Sequence, residues 1–344
     1  MKQRAKQLLT LTTLLLLITS AQAGWEQTNG PCCDTIYCFV ESDTNLFVGI
    51  ENMGVLLSVN GGTSWTAVNS GLTNTDVYAL AVSGTNLFAG TYGGGVFLST
   101  DNGTSWTAVN NGLTDMNVTA LAVSGTNLFA GTWGGTNSVF ISTDNGNSWS
   151  AANSGIAQGT NVNDFAVSGT SLFAGTNGGG VFLSTDNGTS WSAVNTDLTE
   201  NRVSSLALSD TNLFAGTYYG GVFLAAGNGA AWVAVNDSLK DLIVGALIVS
   251  DLNLFAGTRN SGVFRRPLND FPCCIGKTGN VNMSGIVDLA DLSALVSYLT
   301  GGGYVLPCLE EANVNGIGIV DLADLSALVN YLTGGGYVLP NCQL

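Results

Sequence analysis

Short apolar runs separated by turn residues repeat along most of the chain. The unit from Val77 to Asn110 holds four of them, VYALAVS, NLFAGT, VFLST and WTAVN. Runs of four to seven residues rich in Val, Leu, Phe and Trp, bounded by Gly, Asn and Ser, indicate antiparallel strands. Four strands per repeat are typical of a β-propeller blade, so the pattern predicts a mainly β fold.

A tryptophan marks each period, and six of them are spaced 40 to 43 residues apart: Trp25, Trp65, Trp106, Trp149, Trp191 and Trp232. The third strand also recurs six times, from Val55 to Val263. The sixth unit ends without a tryptophan strand of its own, whereas Trp25 precedes the first unit. We therefore predict six four-stranded antiparallel blades over residues 24–268, in which Trp25 supplies the outer strand of the sixth blade and closes the ring.

The pattern differs at the N-terminus, where three basic residues precede the apolar run Leu8–Ile18 and an Ala-Gln-Ala ending at Ala23. This arrangement predicts a signal peptide over residues 1–23 and a secreted or cell-surface protein. Its removal takes three of nine basic and none of 24 acidic residues, which leaves a net charge of −18. A strongly acidic protein surface repels phosphate groups, which argues against nucleic acid as a partner. No other apolar stretch of the chain predicts a membrane span.

Cysteine and histidine usage limits the chemistry. Seven cysteines in an exported chain predict disulfides with one thiol left over, and their connectivity stays open. Cys38 occupies the position of Ala79 and Ala120 in the next two repeats, so we expect it to be the unpaired, buried thiol. The absence of histidine excludes Ser-His-Asp and Cys-His catalysis and most zinc sites.

After Pro272 the period changes to 33 residues, and residues 269–275 form a cysteine-containing linker. Leucines at helical spacing predict two short helices in residues 276–344, each after an Asn- and Asp-rich loop. Both loops follow EF-hand spacing, which predicts Ca²⁺ as the cofactor. The first loop offers Asn280, Asn282, Ser284, the Ile286 carbonyl, Asp288 and Asp291, and the second offers Asn313, Asn315, the Ile319 carbonyl, Asp321 and Asp324.

The octapeptide STDNGTSW at residues 99–106, with variants in four further repeats, resembles the Asp-box or BNR repeat. The resemblance covers residues 25 to about 268 and implies the propellers of sialidases, sortilin-type receptors, xyloglucan-active glycosidases and photosystem II assembly factors. We expect Asp101, Asp144 and Asp186 to stabilise hairpins instead of taking part in catalysis. A sialidase-type arginine triad and a FRIP-like motif are missing, so sialidase activity is not expected.

The 33-residue repeats resemble type I dockerins over residues 276–342. That resemblance implies two calcium loops and a cohesin-like or cell-surface partner. Two departures weaken it, because both loops begin with Asn and Ile317 takes the fifth position of the second loop, where we expect weaker calcium binding. In dockerins the residues just after the ninth loop position carry much of the specificity for cohesin, and both repeats here have Leu-Ala at these positions. The alternative is a pair of packed helices with vestigial loops.

The repeat symmetry breaks at the residue after each second strand. Blade order predicts that these residues share the face opposite the Asp boxes, where they could stack on carbohydrate or grip a peptide. The alternative is free variation at turn tips. The six ligand-face candidates are Glu51, Tyr92, Trp133, Asn177, Tyr218 and Arg259.

These patterns favour a secreted, non-catalytic propeller that serves as a binding or structural module and carries a calcium-dependent docking tail. The alternative is a dockerin-bearing glycoside hydrolase acting on polysaccharide, for which a carboxylate pair could come from Glu51, Asp76, Glu200 or Asp241. A third possibility is a self-associating surface-layer component. The near identity of the blades favours binding, because an active site needs an asymmetric set of groups.

Overall fold

The computed structural model describes residues 35–42, 44–209, 212–226, 229, 231–250, 253–268, 271, 289–301, 314 and 320–334. The predicted signal peptide, Trp25, six of the seven cysteines and most of the predicted calcium ligands lie outside the described residues. Cys38 is a free thiol, as the sequence predicts, although it is only partly buried. Burial raises its pKa to about 12.

The described residues form six antiparallel sheets arranged as propeller blades, which confirms the predicted fold class. The first three blades contain β1 (Ile36–Ser42), β2 (Asn45–Ile50), β3 (Gly54–Ser58) and β4 (Thr66–Ala67), then β5 (Val77–Ser83), β6 (Asn86–Thr91), β7 (Gly95–Ser99) and β8 (Thr107–Ala108), then β9 (Val118–Ser124), β10 (Asn127–Thr132), β11 (Val139–Ser142) and β12 (Ser150–Ala151). The others contain β13 (Val162–Ser168), β14 (Ser171–Thr176), β15 (Gly180–Ser184) and β16 (Ser192–Ala193), then β17 (Val203–Ser209), β18 (Asn212–Thr217), β19 (Val222–Ala226) and β20 (Trp232–Ala234), then β21 (Val244–Ser250), β22 (Asn253–Thr258) and β23 (Gly262–Pro267).

The outer strands are shorter than predicted. In the second blade the sequence predicts a strand from Trp106 to Asn110, whereas β8 has two residues. The Trp106 amide donates instead to the carbonyl of Ser70 in the first blade, at 2.8 Å. At the other end the Asn110 side chain accepts the Val96 amide at 2.7 Å. Hydrogen bonds from a side chain and from the neighbouring blade thus replace backbone pairing between the third and outer strands at both ends of the outer strand.

Neighbouring blades pack through a repeated contact between a valine and a glycine. A Cβ placed on Gly90 would lie 2.6 Å from Cγ1 of Val118, so a side chain at this position would displace the next blade. Trp106 also binds the blade before it, because its Nε1–H donates to the Val68 carbonyl at 2.7 Å. The same bond recurs for Trp149, Trp191 and Trp232.

The Asp boxes are hairpin supports, as predicted. Oδ1 of Asp101 accepts the Ser105 amide at 2.8 Å, and Oδ2 accepts the Ser105 hydroxyl at 2.6 Å. Asn102 and Gly103 both have positive φ, and the Gly103 amide donates to the Ser99 hydroxyl. These donors hold the pKa of Asp101 below its usual range, with the Ser105 hydroxyl as the largest cause.

The C-terminal repeats form two helices, α1 (Leu289–Leu299) and α2 (Leu322–Leu332). They pack through Ala294 and Leu295 of α1 and Ala327 and Leu328 of α2, with Val314 in the same core. Leu295 and Leu328 are fully buried in the core between the two helices. None of the helices in the described parts of the chain is long and apolar enough to cross a membrane.

Candidate functional site

One face of the propeller carries all six candidate residues at equivalent positions. In each blade, the residue after the second strand donates its amide to the carbonyl that precedes the first strand. The bond joins Tyr92 to Asp76 and Trp133 to Asn117, both at 2.9 Å. It recurs for Glu51, Asn177, Tyr218 and Arg259. This face lies opposite the Asp boxes, since successive antiparallel strands reverse direction.

Four aromatic side chains form a continuous row from the central channel to this face, which we call the aromatic arc. Tyr37 and Tyr78 stack with ring centroids 4.0 Å apart, and their hydroxyls lie 3.2 Å apart. Tyr92 follows at 5.5 Å from Tyr78, and Trp133 meets Tyr92 edge-on at 6.1 Å. Because Tyr37 and Tyr78 cover one another, Tyr92 and Trp133 offer the free ring surface, with 41% and 42% of each residue exposed.

The charged side chains of the loops that precede the first strands form hydrogen bonds and ion pairs with neighbouring residues. Glu200 pairs with Arg202 at 3.1 Å, and Arg202 also lies 4.3 Å above the ring of Tyr219. Asp241 accepts the amides of Ile243 and Asn260. The hydrogen bond from Arg202 lowers the pKa of Glu200, and the two amides lower that of Asp241. Likewise, Asp76 accepts the Asn52 amide.

The channel itself is a cavity of about 730 Å³, lined by the first strands of all six blades. Side chains in its wall join neighbouring blades. Thr119 donates to the Val162 carbonyl at 2.6 Å, and Asn163 donates to the Val203 carbonyl at 2.7 Å. The channel is therefore polar along this wall, and its hydrogen-bonding groups are largely used between blades.

Asp164 is the channel residue that the sequence interpretation missed. Its carboxylate accepts the Leu206 amide at 2.8 Å, the Phe165 amide at 2.8 Å and the Ser205 hydroxyl at 3.2 Å. Protein surrounds it except toward the channel, and this desolvation raises its pKa to about 6. A signal existed in the sequence, because Asp164 replaces the small residue that stands at Ala120 in the repeat before it.

Three of the predicted calcium ligands lie in described residues. Asp291 and Asp324, at the twelfth position of each loop, are fully buried. Asp321 caps α2, since its side chain accepts the Ala323 amide while Asp324 accepts the Asp321 amide. The other predicted ligands, Asn280, Asn282, Ser284, Ile286, Asp288, Asn313, Asn315 and Ile319, lie outside the described residues.

Solved structures share this fold at low sequence identity. An ancestral GH74 enzyme matches 67% of the chain at 20% identity with a TM-score of 0.58. The extracellular domain of a putative one-component system from B. thetaiotaomicron matches 72% of the chain at 19% identity with a TM-score of 0.57. In these two comparisons the chain spans only 36% and 34% of the other protein.

A structure of YCF48 bound to D1 peptide also matches, over 68% of this chain and 77% of YCF48, at 15% identity with a TM-score of 0.53. A comparison with curated protein sequences found no significant match. The family model described as the DUF6242 beta propeller domain matches residues 26–154 and 119–247, which together exceed half of the chain. The protein therefore belongs to the DUF6242 beta propeller domain family.

Proposed function

We propose that this protein is an exported, non-catalytic propeller that binds a neutral saccharide chain at the aromatic arc and is anchored through its helical tail. The exposed rings of Tyr92 and Trp133 at the mouth of the channel carry the first part of this proposal. Flat aromatic faces stack on the C–H faces of sugar rings, and exposed aromatic clusters mark binding surfaces. The phenol hydroxyls add hydrogen bonds without adding charge.

Hydrolysis has weaker support than binding. A glycosidase pairs a carboxylate with a carboxylic acid whose pKa is raised. Glu200 and Asp241 have lowered pKa values. Asp164 has the raised pKa of such an acid, but it is the only carboxylate among the described residues that line the channel. The fold similarity to GH74 enzymes keeps polysaccharide hydrolysis as the second candidate. The peptide-bound YCF48 structure makes a peptide the other ligand to test on this fold.

Calorimetric titration with neutral oligosaccharides, and with neutral extended peptides as a second arm, tests the proposal. We expect Trp133→Ala to weaken saccharide binding about tenfold or more. Tyr219→Ala is the matched control, since Tyr219 is exposed on the same face but lies under Arg202, outside the arc. Equal loss in both variants, or binding of peptide alone, would contradict a saccharide site on the arc.

A reducing-sugar assay on the same oligosaccharides tests the hydrolase alternative. Turnover that is abolished by substituting Glu51, Asp76, Glu200 or Asp241 would replace binding with hydrolysis as the function. We expect the oligosaccharides to be recovered intact.

For the tail we propose a calcium-ordered docking element of dockerin type, with a cohesin-like or cell-surface partner. The place of Asp291 and Asp324 at the twelfth position of each predicted loop supports this, because an EF-hand loop has its bidentate carboxylate at that position. The two helices also expose matching apolar residues, such as Leu289 and Leu322 at 71% and 72%. A duplicated apolar surface of this kind suits a protein partner.

Export and calcium binding are tested separately. Mass spectrometry of the secreted protein should find Gly24 as the first residue. Hydrogen exchange across α1 and α2 should slow when calcium is added and speed up with EDTA, while exchange in the blades is unchanged. Identical exchange of the helices in calcium and in EDTA would exclude the calcium-ordered tail.

A further inference from the structure

The second residue of each innermost strand lines the channel from a β-bulge. In the second blade the pairing of β5 with β6 shifts between Val77 and Ala79, which leaves Tyr78 as the extra residue. A bulge of this kind turns a side chain in a new direction. The same shift occurs in every blade, and all six bulged residues line the channel: Tyr37, Tyr78, Thr119, Asn163, Ser204 and Gly245.

The polar bulge residues use their hydrogens to join neighbouring blades. Thr119 and Asn163 donate to carbonyls of the next blade, and the Ser204 hydroxyl donates in the same way to the Val244 carbonyl. These bonds engage both hydroxyl hydrogens and leave the oxygen lone pairs available. Asn163 Oδ1 accepts no hydrogen bond from any described residue. The wall therefore offers mainly acceptors to the channel, so a matching ligand supplies donors.

Asp164 adds the charge of this wall. The described residues that line the channel include no other acidic residue and no basic one. A carboxylate that leaves water is costly unless hydrogen bonds or a cation compensate it. Three donors hold Asp164, but none of them is a cation. The corresponding residues of the other blades are uncharged: Cys38, Ala79, Ala120, Ser205 and Ala246.

The charge and the size of the channel indicate which cation fits. One carboxylate balances one positive charge, whereas Ca²⁺ and Mg²⁺ require several oxygen ligands around the ion. No three Asp, Glu, Cys or His side chains within the described ranges lie close enough together to hold a metal ion. The cavity of about 730 Å³ lies within the range of small-molecule sites, about 300–1,000 Å³. An organic monocation therefore suits the channel better than a bare ion.

Aromatic rings complete the lining. The first blade lies across a six-bladed ring from the fourth, so Tyr37 faces the wall that carries Asp164. Tyr78 stacks on Tyr37, and the sixth blade leaves open space beside them because Gly245 has no side chain. The face of an aromatic ring attracts a cation. The channel thus combines a carboxylate, neutral oxygen acceptors and a π surface, which together match an alkylammonium group.

We propose that the channel binds the primary ammonium group of a small aliphatic amine, with Asp164 as its counter-ion. The ammonium hydrogens donate to Asp164 and to Asn163 Oδ1, and the alkyl part packs against the tyrosine rings. This site does not depend on the proposed saccharide function, because neither Tyr92 nor Trp133 lines the cavity. Failure of either proposal therefore leaves the other standing.

Titration of the secreted protein with butylamine, followed by NMR of the backbone amides, tests the site. The Leu206 and Phe165 amides donate to Asp164, so we expect both signals to shift on binding. Asp164→Asn keeps the shape and removes the charge, and it should weaken binding about tenfold or more. Asp237→Asn is the matched control, since it removes the same charge from an exposed side chain outside the channel. The control should change the affinity less than about twofold.

The pH dependence is a second test that needs no variant. Burial raises the pKa of Asp164 to about 6, so its carboxylate is charged at pH 7.5 and mostly protonated at pH 4.5. The neighbouring strands β9, β14 and β17 carry no charged residue. The other titratable side chains of the lining have ordinary pKa values above about 8: Tyr37, Tyr78 and Cys38. We expect butylamine to bind on the order of tenfold or more weakly at pH 4.5.

Two further ligands separate the ammonium group from its chain and from charge alone. 1-Butanol has the same alkyl chain without the charge, and we expect it to bind about tenfold or more weakly than butylamine. Sodium chloride at the same concentration should not displace butylamine. Equal affinity of the parent and Asp164→Asn, equal affinity at the two pH values, equal binding of 1-butanol, or displacement by sodium would each overturn the proposal.

Discussion

Removal of the Asp164 carboxylate should change how stability depends on pH. Its folded-state pKa of about 6 lies above the ordinary value of 3.8, because the channel wall desolvates the charge. A group with a raised pKa contributes stability that is full below pH 3.8 and is lost as pH rises through 6. The whole difference corresponds to about 3 kcal/mol, of which about 2 kcal/mol falls between pH 4.5 and 7.5.

Urea unfolding followed by tryptophan fluorescence at pH 4.5, 6.0 and 7.5 measures this slope. We expect the parent to lose about 2 kcal/mol across the range and Asp164→Ala to lose almost none. Alanine already occupies the equivalent position at Ala79 and Ala120, so the variant should fold. Asp186→Ala is the control, since the pKa of Asp186 is about 2 and its titration lies below this window. A slope in Asp164→Ala equal to that of the parent would refute our assignment.

Three further outcomes follow from contacts described above. Trp149→Phe should lower the free energy of unfolding in urea by about 1 kcal/mol, because the partly buried Val109 carbonyl loses its donor. A neutral result would mean that the indole bond contributes nothing to stability. The Asp186 carboxyl should titrate near pH 2 in NMR, since Ser190 and Ser184 donate to its charged form. The contribution of this carboxylate to folding stability is therefore present above pH 4 and lost as pH falls through 2. A midpoint near 3.8 would contradict the hairpin role. Trp133→Ala should leave the melting temperature within about 2 °C of the parent, because the ring is exposed, and a large drop would place Trp133 in the core.

The sequence predicted the blades well because each strand is short and bounded by turn residues. The bounds of β5 and β6 agree with the apolar runs from Val77 to Ser83 and from Asn86 to Thr91. The common face of Tyr92 and Trp133 follows from repetition alone. The outer strands were predicted too long, since no pattern shows that the Asn110 side chain will take the place of backbone pairing.

The missed features depend on contacts between blades. Tyr37 and Tyr78 are 41 positions apart in the chain, and their stacking arises because the innermost strands of neighbouring blades lie side by side. The raised pKa of Asp164 likewise depends on Leu206 and Ser205 of the next blade. Period and composition identify such residues as exceptions to the repeat, but only the packed blades show what surrounds them.

The indole bonds that join four of the described blades to the blade before each of them bear on how the chain emerges during synthesis. Residues reach the folding environment from the N-terminus onward, so each blade is completed by the tryptophan that appears about forty residues later. A growing chain then leaves uncovered only its newest blade and the outer side of its first blade, so the exposed apolar surface stays constant as further blades are added. Aggregation risk during synthesis is thereby independent of how many blades have already formed.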